Sequence, residues 1–158
     1  MLYIQDHHGV YLPAPKETVL SEAKRLSSYQ LRRGAFISTS AVARDAVRHR
    51  LAGHECEVFA CLFLDSQHRI LAWLEMFRGT INSATVHPRE VVKEALQLNA
   101  AAVILVHNHP SGYPQPSDKD VELTIKLKSI LQVIDVHVLD HLVVGDEVIS
   151  FADLGLLR

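Results

Sequence analysis

The stretch ECEVFACLFLD, residues 55–65, constrains the fold more than any other part of the chain. Successive residues of a β-strand point to opposite sides. Here both sides are apolar, because one carries a valine, an alanine and two leucines and the other carries two phenylalanines and a cysteine. Such a strand is typical of the middle of a sheet that helices cover on both faces. We therefore predict a layered α/β domain.

The other apolar patterns give the order of the elements. Helical spacing predicts a first helix from Pro15 to Arg33, ending before Gly34, and a second helix in STSAVARDAVRHRLAG with Ser38 or Ser40 as its N-cap. The stretch RILAWLEMFRGT can pair with the first strand as a hairpin. Later helices are predicted in HPREVVKEALQLNA and SDKDVELTIKLKSILQVI, and later strands in AAVILVHNH, DVHVLDHLVVG and DEVISF. The predicted order is α-α-β-β-α-β-α-β-β, a mixed α/β domain.

Composition limits the class of protein. A chain of 158 residues that is 48% hydrophobic suits one compact domain, and 16 Lys and Arg against 18 Asp and Glu create no overall field toward DNA or an anionic membrane. Cys56 and Cys61 lie five apart in an apparent strand and face opposite sides, so both are expected to be reduced. The N-terminal stretch lacks the apolar run of a signal peptide, and no stretch approaches a membrane span. We expect a cytoplasmic protein.

The segment HNHPSGYPQPSDKD, residues 107–120, allows two interpretations. In the first, Ser117 and Asp120 merely begin a helix as a capping box, and the two histidines are solvated loop residues. In the second, the side chains converge on a metal ion. His107 and His109 are two apart in an extended segment and point to the same side, and Pro110 favours the extended conformation at His109.

The position of Asp120 favours the metal. At 3.6 residues per turn its helix face is shared by Leu123, Leu127 and Leu131, so the carboxylate points inward. An inward carboxylate is costly unless it is paired or bound to a metal. Two imidazoles and one carboxylate supply three ligands and leave a fourth position for water, which is the pattern of a catalytic zinc site.

A hydrolytic zinc site also needs a carboxylate that takes a proton and does not ligate the ion. Glu57 is predicted for this role because it shares a strand face with Phe59, where a carboxylate is out of place. Glu55 lies on the same face but nearer the start of the strand, so we expect it to be solvated. His141 is expected to pair with Asp140 at the strand edge and not to bind the metal.

The order of these residues resembles a known motif. Glu57, then His-x-His-Pro at residues 107–110, then Ser-x-x-Asp at residues 117–120 fill every position of the JAMM (MPN+) metalloprotease motif. The stretches VFACLFLD, FRGTIN, VHPREVVKEALQLNAAAVILVHNHPSG, DHLVVG and SFADLG are similar to the bacterial RadC-type branch of that family. The likeness covers roughly Ser38 to Leu157.

The resemblance implies roles for these residues. It implies Zn²⁺ on His107, His109 and Asp120, with Glu57 as the general acid and base and Ser117 as a hydroxyl near the oxyanion. It also implies a cytidine-deaminase-like JAB/MPN fold, in which a curved mixed β-sheet is flanked by helices.

The resemblance also divides the chain. Residues 1–37 are expected to form a helical N-terminal extension, and residues 38–158 the RadC-like JAB/MPN metalloprotease domain. Full-length RadC proteins of the family carry an upstream helix-hairpin-helix segment. Residues 1–37 are too few for that segment and lack its glycine hairpins.

The leading hypothesis is a zinc-dependent peptidase or isopeptidase that acts on an amide bond of a protein or peptide substrate. The main alternative is a nucleic-acid-associated protein of a repair or mobile-element context, with a structural or vestigial metal. Five arginines could contact phosphate, but without interleaved aromatics a solvated helix face is favoured: Arg32, Arg33, Arg44, Arg48 and Arg50. A metal-dependent nuclease or phosphatase is a third alternative, although such enzymes usually use two metals and more carboxylates. No membrane partner is expected.

Overall fold

The fold is described from a computed structural model, which describes residues 2–79 and 85–157. Within those ranges the predicted order of helices and strands is confirmed, and a short N-terminal hairpin precedes it. The elements are β1 (Tyr3–Gln5), β2 (Tyr11–Pro13), α1 (Lys16–Gln30), α2 (Ser40–Leu51), β3 (Val58–Leu64), β4 (Ile70–Arg78), α3 (Pro88–Gln97), β5 (Ala102–Asn108), α4 (Asp118–Gln132), β6 (His137–Val144) and β7 (Val148–Ser150).

The central sheet has five strands in the order β4-β3-β5-β6-β7. Strand β3 is antiparallel to both β4 and β5, β5 is parallel to β6, and β6 is antiparallel to β7. A parallel pair needs a crossover connection, and here that crossover contains α4 and the loop of residues 109–117 before it. The predicted mixed sheet flanked by helices is confirmed.

Each face of the sheet has its own apolar core. The alternate residues Val58, Ala60, Leu62 and Leu64 are buried in one cluster with residues of α2. The intervening residues Phe59, Cys61 and Phe63 are buried in a second cluster with residues of α3 and α4. The two-sided apolar pattern of β3 is therefore explained by helices on both faces, as predicted.

Some boundaries differ from the sequence-based expectation. The N-cap of α2 is Thr39, whose side chain accepts a hydrogen bond from the Val42 N–H at 3.2 Å, and neither Ser38 nor Ser40. Strand β3 begins at Val58, so Cys56 lies before it. Thr80, the predicted end of the second strand, and the last residues of the stretch FRGTIN lie outside the described residues.

The residues that follow α1 pack against the central domain. Leu31 and Ile37 are buried in the cluster under α2, and the Ile37 N–H donates to the His68 carbonyl at 3.0 Å. The division at residue 37 stays a prediction. Among residues 2–79 and 85–157, no helix combines the length and the apolar character that crossing a membrane requires.

Candidate metal centre

Strand β5 brings the two histidines together at its carboxyl end. His107 is the second-last residue of β5 and is 1% exposed. His109 follows the strand, and its N–H donates to the Val144 carbonyl of β6 at 2.9 Å, which continues the extended conformation. The Nε2 atoms of the two rings are 3.0 Å apart. The expectation that both rings reach one point is confirmed.

Helix α4 supplies the carboxylate from its first turn. Asp120 Oδ1 lies 3.4 Å from His107 Nε2, and its Oδ2 lies 3.6 Å from His109 Nε2. Ser117 caps the helix as the sequence predicts: its Oγ accepts from the Asp120 N–H at 3.2 Å, and its own N–H donates to Asp120 Oδ2 at 2.7 Å. The capping box and the metal-ligand arrangement therefore coexist, because Asp120 serves both.

These three side chains fit a tetrahedral ion. Ligand atoms that lie 2.0–2.1 Å from a shared zinc at tetrahedral angles are about 3.3 Å apart. The observed separations of 3.0, 3.4 and 3.6 Å lie on both sides of that value. In the described part of the chain, His107, His109 and Asp120 form the group of acidic and imidazole side chains that could hold a metal. Donors of nitrogen and oxygen type suit zinc and also iron, nickel or manganese.

The electrostatics of the site suit a cation. Burial alone would raise the pKa of Asp120, but hydrogen bonds from His107, His109 and Ser117 hold that pKa well below its ordinary value. The hydrogen bond to Asp120 raises the pKa of His109 against the opposing effect of burial. Without a metal, the carboxylate therefore stays ionised and favours a proton on His109. A bound cation takes the place of that proton, so metal binding weakens as the pH falls.

The loop after β5 fixes the orientation of His109. Its Nδ1 lies 2.7 Å from the Tyr113 carbonyl, an acceptor, so Nδ1 carries a proton, and in the neutral ring Nε2 keeps its lone pair. Gly112 allows this turn, because its φ is 83° and an added Cβ would lie 2.7 Å from an Asp146 carboxylate oxygen. The Asp146 N–H donates to the Gly112 carbonyl at 2.7 Å, which holds the loop against the turn before β7.

Asn108 holds the segment that carries Glu57. Its Oδ1 accepts from the Val58 N–H at 2.7 Å, and its Nδ2 donates to the Cys56 carbonyl at 3.1 Å, so the amide bonds to the backbone on both sides of Glu57. Glu57 is half-buried and directly precedes β3. Phe59 pairs with His107 in the sheet, so the same register places Glu57 beside His109, and the charge of Glu57 contributes to the raised pKa of His109.

The other candidates are placed as follows. Glu55 is exposed, as expected. The Ser117 hydroxyl lies 2.6 Å from Asp120 Oδ2 and donates its proton to that carboxylate, so the role predicted for it at an oxyanion requires the hydroxyl to turn. His87 is the N-cap of α3 without a side-chain cap bond, and its ring contacts the Phe77 ring.

The ring of His141 does not pair with the Asp140 side chain, so the predicted partner was wrong. Asp140 accepts from the His141 backbone N–H at 2.7 Å, and the remaining bonds of its carboxylate go to Ser150 and Ala152. The fully buried ring of His141 instead contacts His107 Nδ1 at 2.8 Å and Thr124 Oγ1 at 2.6 Å. Burial holds the pKa of His141 well below its ordinary value, and the charge on His107 adds to that effect.

Sequence reasoning also missed Thr124 and the backbone contacts of Asn108. The available signal for Thr124 was its position four residues after Asp120, on the same face of α4. For His141 the signal was a polar ring in an otherwise apolar strand. Neither signal identifies the partner, because His141 lies 34 residues from His107 and only the pairing of β5 with β6 brings them together.

The predicted basic cluster is largely engaged within the protein. Arg44 forms an ion pair with Asp153, and Arg48 donates to the Asp146 carbonyl at 3.4 Å. The guanidinium of Arg50 lies over the Trp73 ring, 5.7 Å from its centroid. These contacts favour structural roles for the three side chains.

Known proteins with similar sequences identify the family of this chain. A UPF0758 protein of Vibrio cholerae serotype O1 is 49% identical over 144 residues, which are 91% of this chain and 91% of the relative. UPF0758 proteins of Thioalkalivibrio sulfidiphilus and Shewanella denitrificans are 50% and 52% identical over 91% and 86% of this chain, which spans 65% and 61% of those longer relatives. A family model described as a RadC-like JAB domain matches residues 37–156. The chain therefore belongs to the family of RadC-like JAB domains.

Proposed function

We propose that this chain is a zinc-dependent hydrolase that cleaves an amide bond of a protein or peptide substrate, as a peptidase or isopeptidase. One observation carries the proposal: three ligand atoms converge within 4.8 Å of one another in a cluster of two imidazoles and one carboxylate. Such a set leaves a coordination position for water or substrate. The names of the UPF0758 relatives state no substrate, so the proposal rests on the site.

Each residue has a defined task in this proposal. His107, His109 and Asp120 hold the ion. When bound, zinc lowers the pKa of a water molecule to about 7 and polarises the carbonyl to be attacked. The Glu57 carboxylate accepts the proton of the attacking water and returns it to the leaving amine. The Ser117 hydroxyl turns from Asp120 to donate to the oxyanion.

The nucleic-acid alternative has weaker support. Arg44, Arg48 and Arg50 already contact other groups of the protein. Sequence-independent binding of nucleic acid depends on side chains that neutralise phosphates. A cytoplasmic location is part of the proposal and is supported by the free thiols of Cys56 and Cys61.

The test is a digest of a peptide library by purified protein, with and without a chelator, after metal analysis. Glu57→Gln is expected to lower turnover by about 10²–10⁴-fold, because it removes the proton acceptor, and to leave zinc content unchanged. Glu55→Gln is the matched control, since that carboxylate is exposed and only two residues away. We expect its turnover to equal that of the original protein.

Two results would contradict the proposal. If the purified protein binds no stoichiometric zinc, the proposed metal centre is wrong. If the protein binds zinc but Glu57→Gln cleaves peptides at the original rate, the metal centre is supported and the role proposed for Glu57 is wrong.

A further inference from the structure

We propose that Thr124 and His141 are positioning residues for the metal centre: they fix the tautomer of His107, so that its Nε2 lone pair faces the ion. The four groups form one hydrogen-bonded chain, from the Asp120 carbonyl through Thr124 and His141 to His107. The inference rests on the metal-binding part of the proposed function and does not depend on amide hydrolysis.

The direction of the chain is set at Thr124. Its hydroxyl lies 2.5 Å from the Asp120 carbonyl and 2.6 Å from His141 Nδ1. A backbone carbonyl can only accept, so the single hydroxyl proton goes to Asp120. The hydroxyl oxygen must then accept from His141, which places a proton on His141 Nδ1.

The proton on His141 Nδ1 also determines which nitrogen of His107 is protonated. With its proton on Nδ1, a neutral His141 ring has an acceptor at Nε2, which lies 2.8 Å from His107 Nδ1. His107 therefore donates from Nδ1 and keeps its lone pair on Nε2, the atom that faces Asp120 and His109. The opposite arrangement, with both His141 nitrogens protonated, would put the His107 proton on Nε2 and block the ion.

The two histidine ligands are thus oriented by different means. A carbonyl of the loop, that of Tyr113, accepts from His109. The acceptor for His107 is a buried side chain whose own tautomer depends on Thr124. Helix α4 consequently contributes to the site in two ways. The Asp120 carboxylate is a ligand, and the Asp120 backbone carbonyl, one turn before Thr124, sets the direction of the hydrogen bonds that orient His107. Partners of this kind typically change metal affinity by 10–100-fold.

Packing alone does not account for the two residues. Thr124 is 1% exposed and His141 is 0% exposed. The His141 ring stacks on Phe151 and meets the edge of Phe59. Burying a hydroxyl and an imidazole among apolar groups is costly unless they are hydrogen-bonded. Valine and phenylalanine fill similar space, so they separate the hydrogen bonds from the packing.

The experiment compares Thr124→Val with Thr124→Ser, and His141→Phe with the original protein, by zinc affinity in competition with a chelator. Thr124→Val and His141→Phe are expected to bind zinc about 10–100-fold more weakly. Thr124→Ser keeps the hydroxyl and is expected to bind within about threefold of the original protein, which is a smaller change than the 10–100-fold loss. Unfolding of the metal-free proteins is measured in parallel. If the two residues had a purely structural role, the variants would be less stable, but zinc affinity would not fall in Thr124→Val and recover in Thr124→Ser.

A second readout needs no variant. Ring-nitrogen NMR shifts of metal-free protein, at a pH well above the ordinary histidine pKa, are expected to show the proton on Nδ1 of His141 and His107. A proton on Nε2 of His141 would overturn the inference, as would Thr124→Val and His141→Phe that fold and bind zinc like the original protein. If the original protein bound no zinc, the proposed function and the inference would both be overturned, whereas zinc binding without peptide cleavage would overturn the hydrolase alone and leave the inference standing.

Discussion

Both faces of the central sheet carry a buried apolar core, but the candidate metal ligands lie on only one of them. On the face under α2, the cluster that includes Leu62, Val106 and Leu142 is apolar. The buried polar residues Asn108 and Asp140 on this face bond to backbone groups and to Ser150, and not to the candidate ligands. On the face under α3 and α4, apolar residues such as Leu105 are followed by His107 and, in β6, by His141. Burial by itself therefore does not distinguish a packing face from a site.

The difference lies in the helix that covers each face. On α4, Asp120, Thr124, Leu127 and Leu131 follow one another at helical spacing along one stripe. Leu127 and Leu131 are fully buried against the apolar part of the sheet, while Asp120 and Thr124 lie at the end where the histidines are. The buried residues of α2 are all apolar, so this helix presents no metal ligand to the face beneath it.

The comparison is tested most strongly by removing one leucine from each face. Leu62 and Leu105 are both 0% exposed, so Leu62→Ala and Leu105→Ala are each expected to lower the free energy of unfolding by about 2–5 kcal/mol. Only Leu105→Ala is expected to weaken zinc binding, because Leu105 lies next to His107 on the same face and pairs with His141. Denaturant unfolding of metal-free protein and chelator competition measure the two effects.

Equal loss of zinc affinity in both variants would show that the faces are mechanically coupled and that the comparison is wrong. Loss in neither would show that the histidines are positioned without help from the core beneath them.

The candidate metal ligands could be predicted from sequence because each depends on a local pattern. His107 and His109 share a side through strand alternation, and the inward direction of Asp120 follows from the apolar residues on its helix face. The two apolar sides of β3 likewise required helices on both faces. These features need no knowledge of how distant elements pair.

What the sequence did not predict depends on non-local register or on exposure. His141 meets His107 only through the parallel pairing of β5 and β6, which contains a register shift between Val103 and Ile104. Strands β1 and β2 have three residues each and are exposed along their whole length, so they leave no burial periodicity to detect. For α2, Thr39 lies between two serines that are equally able to cap, and only the extended backbone at Thr39 decides.

Asn108 offers a second test of the comparison, because it lies between His107 and His109 in the chain and faces the opposite side of the sheet. Asn108→Ala leaves the buried Val58 N–H without the acceptor at 2.7 Å and is expected to cost about 1–3 kcal/mol of stability. We expect zinc affinity to stay near the original value and peptide turnover to fall, because the lost contacts hold the backbone around Glu57. Asn108→Asp keeps the acceptor but loses the donor to the Cys56 carbonyl and buries a charge, so it is not expected to recover the stability. A large drop in zinc affinity for Asn108→Ala would mean that Asn108 supports the ligands directly.

The smallest expected effect comes from the helix caps, one on each side of the sheet. Thr39 caps α2 and Ser117 caps α4, each by accepting a backbone N–H at 3.2 Å, so Thr39→Ala and Ser117→Ala should each cost about 1 kcal/mol. Ser117→Ala should also weaken zinc binding by about tenfold, the lower end of the range for groups that hold a ligand, because its hydroxyl donates to Asp120 Oδ2. Thr39→Ala should leave zinc affinity unchanged, since its cap contacts no ligand. If the two variants lose stability alike and zinc affinity alike, Ser117 is a cap and nothing else, and the polar end of α4 orients Asp120 without it.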